Sequence, residues 1–180
     1  MPTEKKVLIY QFDELSAKAK EKARDWFRTG ALEDDWWEGV YEDAERIGLK
    51  ITSFELDRRQ SITGDFTKGA EHCAEAILKE HGDTCDSFKL AQAFLQELRA
   101  LEDRFEETRD VDEDLSEEEG QTTWEIDEQI TELKEEFKKD ILNDYLDTLQ
   151  KEADYRLSDE AVDGAIQVNE YTFLANGKRE

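Results

Sequence analysis

The chain has 180 residues, 40% charged and 37% hydrophobic, with 48 acids against 24 bases and a net charge of −24. That balance excludes a generic nucleic-acid binder, which needs a basic footprint, and works against binding to anionic membranes. Nine Phe, five Tyr and four Trp argue against a disordered chain, because disordered segments are poor in aromatics. The length fits a single domain over 1–180 with a real core, and one Pro leaves room for long helices. The acidity is uneven. Residues 1–60 carry net −3, 61–120 net −12 and 121–180 net −9. A surface of that sign suits solubility or a cationic partner.

The start, MPTEKKVLIYQF, has a short apolar run broken by Gln11 and Asp13, so neither a signal peptide nor a membrane span is expected. Val7 to Phe12 reads as a short strand. Ser16 reads as an N-cap, and Ala19, Ala23, Trp26 and Phe27 follow at helical spacing up to Gly30. After the acids Glu33, Asp34 and Asp35, a second helix presents Trp37, Val40, Tyr41, Ala44 and Ile47, and Gly48 ends it. Leu49–Leu56 and Ile62–Phe66 read as antiparallel strands joined through Asp57 to Gln60. Lys68–His81 is a helix with Ala70, Cys73, Ala76 and Ile77 inward.

Ser87 to about Arg109 is a long helix with a seam of Phe88, Ala91, Phe94, Leu95, Leu98, Leu101 and Phe105. The longest pattern, Thr123–Tyr155, places Trp124, Ile130, Leu133, Phe137, Ile141, Tyr145 and Leu149 at threes and fours. It is expected to pack on the previous helix as an antiparallel hairpin, an arrangement that also fits two copies joining in a four-helix bundle. Between the two helices, 108–123 reads as an acidic loop, with both an ordered and a flexible form open. Ser158 caps a last short helix. Val168, Tyr171 and Phe173 make a closing strand before the Asn176-Gly177 turn. The expected fold is α+β: mainly helical, with a long antiparallel helical hairpin and a small antiparallel sheet of three or four strands.

Three stretches resemble a family of small acidic phage and prophage proteins often labelled antitoxins. The first is Tyr10-Gln11-Phe12-Asp13-Glu14-Leu15-Ser16 leading into Ala19 to Trp26. The second is Trp36-Trp37 with Tyr41-Glu42-Asp43. The third is Ser158-Asp159-Glu160-Ala161-Val162 with Asn169-Glu170-Tyr171 and Phe173. The match covers about a third of the chain, at its two ends. It implies a phage context, hence a host bacterial cytoplasm, with the ends forming a common scaffold. The centre departs, because relatives carry a longer Gly- and aromatic-rich β segment where this chain has only Ser61–Gly69.

Several constellations have plainer readings. Asp110, Asp112 and Asp114 have the first spacings of a calcium loop. Leu115 stands where its glycine should be, and Gln121 where its bidentate Glu should be. His72, Cys73, His81 and Cys85 fit no zinc spacing, and a buried Cys with two surface His is the expectation. No metal or other cofactor is expected. No nucleophile elbow, phosphate loop or metalloprotease motif is present, so the chain reads as no enzyme. Trp36 is expected to pack rather than to contact a partner.

The remaining signal is the acidic window Glu102–Glu119, with eleven carboxylates against two arginines. Glu102, Asp103, Glu106, Glu107, Asp110, Asp112, Glu113, Asp114, Glu117, Glu118 and Glu119 are its candidate partner-binding residues. Glu128, Glu132, Glu135 and Glu136 on the last long helix join them. Duplex DNA carries one charge per ~1.7 Å of axis, and carboxylates along rigid helices can stand in for phosphates. The expected partner is a basic host protein, a nucleic-acid-binding defence nuclease such as a CRISPR effector or restriction enzyme, with its basic groove occluded. The competing expectation is an antitoxin-like or regulatory protein that binds one partner through an apolar patch. A plain solvated face is the third reading.

Overall fold

Ser16 and Ser158 each accept a hydrogen bond from the backbone N–H three residues on, Ala19 and Ala161. These caps start helices that share one core. The computed structural model describes residues 7–111 and 123–180. Its contacts group the chain into two compact units, a terminal unit of Met1–Glu38 with Leu149–Glu180 and a central unit of Gly39–Thr148.

The terminal unit begins with β1 (Tyr10–Gln11), a 3-10 turn at Phe12–Glu14 and α1 (Ala17–Arg28). Its closing part holds α6 (Asp159–Val168) and β4 (Thr172–Phe173), with Tyr10 paired to Phe173 and Gln11 to Thr172. Phe12, Leu15, Ala19, Ala23, Val162, Ile166 and Phe173 form the core. The inward faces of α1 and α6 are small or branched, so Phe12 and Phe173 can meet edge to face across them. Arg24 grips Asp163 with two hydrogen bonds of 2.6 Å. Asp163 first, then Glu21, raises the guanidinium pKa, which keeps this fork charged throughout.

The central unit holds α2 (Glu38–Arg46), β2 (Leu49–Glu55), β3 (Ser61–Phe66), α3 (Ala70–Glu80) and α4 (Asp86–Val111). Its last element is the first part of α5 (Thr123–Leu157), whose final turns belong to the terminal unit. α4 and α5 pack on each other in this unit, and Phe94 stacks on Phe137 with ring centres 4.3 Å apart. Ala44, Ile47, Leu49, Ile51, Cys73, Ile77, Phe94, Leu98, Phe137 and Ile141 belong to one core. Burial pushes the Cys73 thiol up to about 12. Gly64 lets β3 lie close to its neighbours, since a Cβ there would stand 2.7 Å from the Lys50 oxygen and 2.9 Å from Leu142.

Mainly helical α+β is therefore the architecture. Four sequence expectations change in detail. The strands form two ribbons of two, β1–β4 and β2–β3, rather than one sheet. Val168 is the last residue of α6, 83% exposed, because the helix keeps its bonds until Asn169 and Glu170 turn the chain. Only Tyr10–Gln11 of the expected Val7–Phe12 strand is paired, because β4 offers two partner residues.

The helix α4 also continues through 108–111, expected as loop. Nothing in that stretch breaks a helix, and Arg109 pairs with Glu106 one turn back at 2.6 Å. Residues 112–122, with the rest of the expected loop and most of the calcium-like run, lie outside the described residues.

Candidate functional site: acidic faces of two long helices

An α-helix rises ~1.5 Å per residue, so residues four apart stack ~6 Å from each other on one face. On α4 this aligns Glu102 with Glu106 and Asp103 with Glu107. On α5 it aligns Glu128, Glu132 and Glu136. All seven are exposed. Glu106 binds Arg109 at 2.6 Å, and the other six form no ion pair among the described residues. Glu135 is exposed and binds Lys138 at 2.8 Å, while Lys138 also reaches Asp65 at 3.5 Å. Asp110 lies in α4. Asp112, Glu113, Asp114, Glu117, Glu118 and Glu119 fall outside the described residues.

Like charges four apart on a helix cost roughly 0.2–0.5 kcal/mol a pair. The chain accepts that cost repeatedly here, while some of its other acids are paired. Glu71, for instance, takes a 2.5 Å bond from Lys134, and this bond holds its carboxyl below the usual range.

The density of charge can be compared with nucleic acid. From 102 to 110, five acids and two arginines leave net −3, over ~12 Å of axis, or ~4 Å per charge. From 128 to 136, four acids and Lys134 give the same net charge and the same ~4 Å. One DNA strand carries a charge every ~3.4 Å, and a duplex one every ~1.7 Å. Each helix alone therefore approximates a single strand rather than a duplex.

Two aromatic expectations shift. Trp124 is 64% exposed instead of lying in the α5 seam. The seam enters at Ile126, which is buried, and runs Ile130, Leu133, Phe137, Ile141, Tyr145 and Leu149 in steps of three and four. Trp36 is only 9% exposed and meets Trp37 edge to face, so it packs and offers little to a partner. Neither Trp is on α2, which begins at Glu38.

A polar cluster in the central unit has no signature in the residue spacing. Asp43 of α2 receives the Tyr145 hydroxyl at 2.8 Å and also binds Arg46. His81, expected at the surface, is largely buried at the end of α3. Its Nδ1 shares a 2.8 Å hydrogen bond with Ser87 Oγ, and its Nε2 faces Asp43 at 3.6 Å. Serine, histidine and aspartate thus lie in line. Ser87 is itself buried, so its hydroxyl has no approach for a substrate, and the cluster serves to tie α2, α3, α4 and α5 together. Burial, then the Asp43 bond, raises the Tyr145 pKa. His72 is exposed, and among the described residues no three His, Cys, Asp or Glu gather as metal ligands. No described helix is long and apolar enough to cross a membrane.

No protein-family model matches the chain, and neither a curated protein nor a solved structure does.

Proposed function

We propose that the protein is a phage-encoded, non-enzymatic inhibitor that works in the host bacterial cytoplasm. It mimics nucleic acid and occludes the basic groove of a host defence protein, a CRISPR effector or a restriction enzyme. The observation that carries this reading is the set of exposed carboxylates on α4 and α5, all but Glu106 without an ion pair among the described residues, spaced at ~6 Å along each helix. Lys and Arg that hold phosphates would pair with these carboxylates, so attraction is long-ranged and screened by salt. The single-strand-like density favours a groove that holds one strand, such as a guide-RNA or displaced-strand channel. The resemblance of the chain's ends to acidic phage proteins adds the phage setting.

The test is a gel-shift of labelled target DNA on purified effector nucleases, with and without the protein, at 50 and 200 mM salt. DNA binding should be blocked at low salt and progressively restored at high salt. The triple change Glu128→Lys, Glu132→Lys, Glu136→Lys should remove the block. Inhibition that survives both high salt and the triple change sinks the proposal.

A further inference from the structure

The terminal unit contains a cleft of about 1030 Å³ that the acidic helical faces do not share. One wall is aromatic. Trp26 meets Tyr171 edge to face at 5.4 Å, with Phe27 beside both at 6.2 and 6.3 Å. Ala161, Gly164 and Ala165 of α6 lie three and four apart on one helix face and form a floor of small side chains. A Cβ added at Gly164 would meet nothing within 4 Å, so the space above that floor is open. Tyr155 at the margin is 58% exposed.

Two observations say what suits this space. Arg179 already lays its guanidinium 4.2 Å from the Tyr171 ring centre and 4.8 Å from that of Trp26. The aromatic wall therefore holds a guanidinium from the chain's own tail. The rim is acidic. Glu33, Asp34 and Glu160 are exposed and form no ion pair among the described residues, while Arg156 is engaged by Glu152 at 2.9 Å. A net negative rim around an aromatic wall complements a cation with an apolar neighbour. The volume lies at the upper end of small-molecule sites, ~300–1,000 Å³, and suits a short chain segment.

We infer that this cleft is a docking groove for a partner segment in which arginine alternates with apolar residues, with Arg179 occupying the guanidinium position when no partner is bound. The inference does not rest on nucleic-acid mimicry, since no α4 residue lines the groove and the α5 residues that do lie far beyond 128–136.

The test uses the full chain, labelled with nitrogen-15, and an acetylated, amidated dodecapeptide of alternating Arg and Leu. Saturable shifts are expected at the Trp26 indole and the Gly164 and Ala165 amides. Gly164→Leu should weaken binding at least tenfold, and a Glu/Leu peptide should not bind. Arg179→Ala should tighten binding about threefold. The second variant, Glu33→Lys with Glu160→Lys, alters only exposed side chains and should also weaken binding at least tenfold; it decides the matter if Gly164→Leu fails to fold. Shifts confined to α4 and the first part of α5, or equal affinity for parent and groove variants, overturn the inference, because either marks bulk charge attraction.

Discussion

A methyl group on Gly177 would stand 2.1 Å from the carbonyl oxygen of Ala19. The tail turn therefore touches the backbone of α1 directly, at a residue with φ of +81°. Gly177→Ala meets both a left-handed backbone and a hard clash. It should cost about 2–4 kcal/mol in urea unfolding. Gly164→Ala is the control: mid-helix with open space above it, it should gain up to ~1 kcal/mol.

Tyr145→Phe keeps the ring and deletes the hydrogen bond to Asp43. A bond to a charged acceptor is worth about 1.5–3 kcal/mol, and removal also leaves the carboxylate short of a donor. The expected loss is about 1–3 kcal/mol in urea unfolding, with helical circular dichroism retained. An unchanged midpoint would show that water replaces the hydroxyl without cost.

The Lys134 bond lowers the Glu71 pKa in the folded state. The stability it contributes is fully present above the carboxyl's ordinary value of 4.5 and is lost as pH falls through the lower, folded one. Glu71→Gln should therefore lower the melting temperature slightly at pH 7 and not at pH 2–3. The effect is small, because both side chains are more than a third exposed.

The stacked carboxylates of α4 and α5 repel one another, and salt screens that repulsion. Raising NaCl from 10 to 200 mM should raise the melting temperature by a few degrees. Glu132→Lys replaces two repulsions, with Glu128 and Glu136, by two attractions. It should be more stable than the parent at low salt by about 0.5–1.5 kcal/mol and show a smaller salt response.

Much of this fold is legible in the sequence because its signals are local. Ser16 and Ser158 mark helix starts, and Gly48, at φ +81°, marks a stop. The seam from Ile130 to Leu149 reads as helix because its period is built into the chain. Two kinds of feature escape such reading. Which strands pair depends on contacts far apart in sequence, so β1 and β4 could not be told from members of one sheet. The cluster of Asp43, His81, Ser87 and Tyr145 draws from four helices, and no spacing foretells it. The acidic faces stand between these cases. Helical spacing aligns Glu128, Glu132 and Glu136, but whether each finds a lysine, as Glu71 and Glu135 do, emerges only in three dimensions.

The pairing of the two chain ends also sets an order of events in time. Asp13 is bonded to Gln167, 154 residues later, and Arg24 to Asp163, 139 residues later. At ~5–20 residues per second, the ribosome leaves Phe12 waiting roughly 8–30 s for Phe173. Helix α1, with Trp26 and Phe27, is therefore made long before α6 and β4 can cover it. A nascent chain stalled before residue 158 presents it uncovered, after the whole sequence of the central unit has been made.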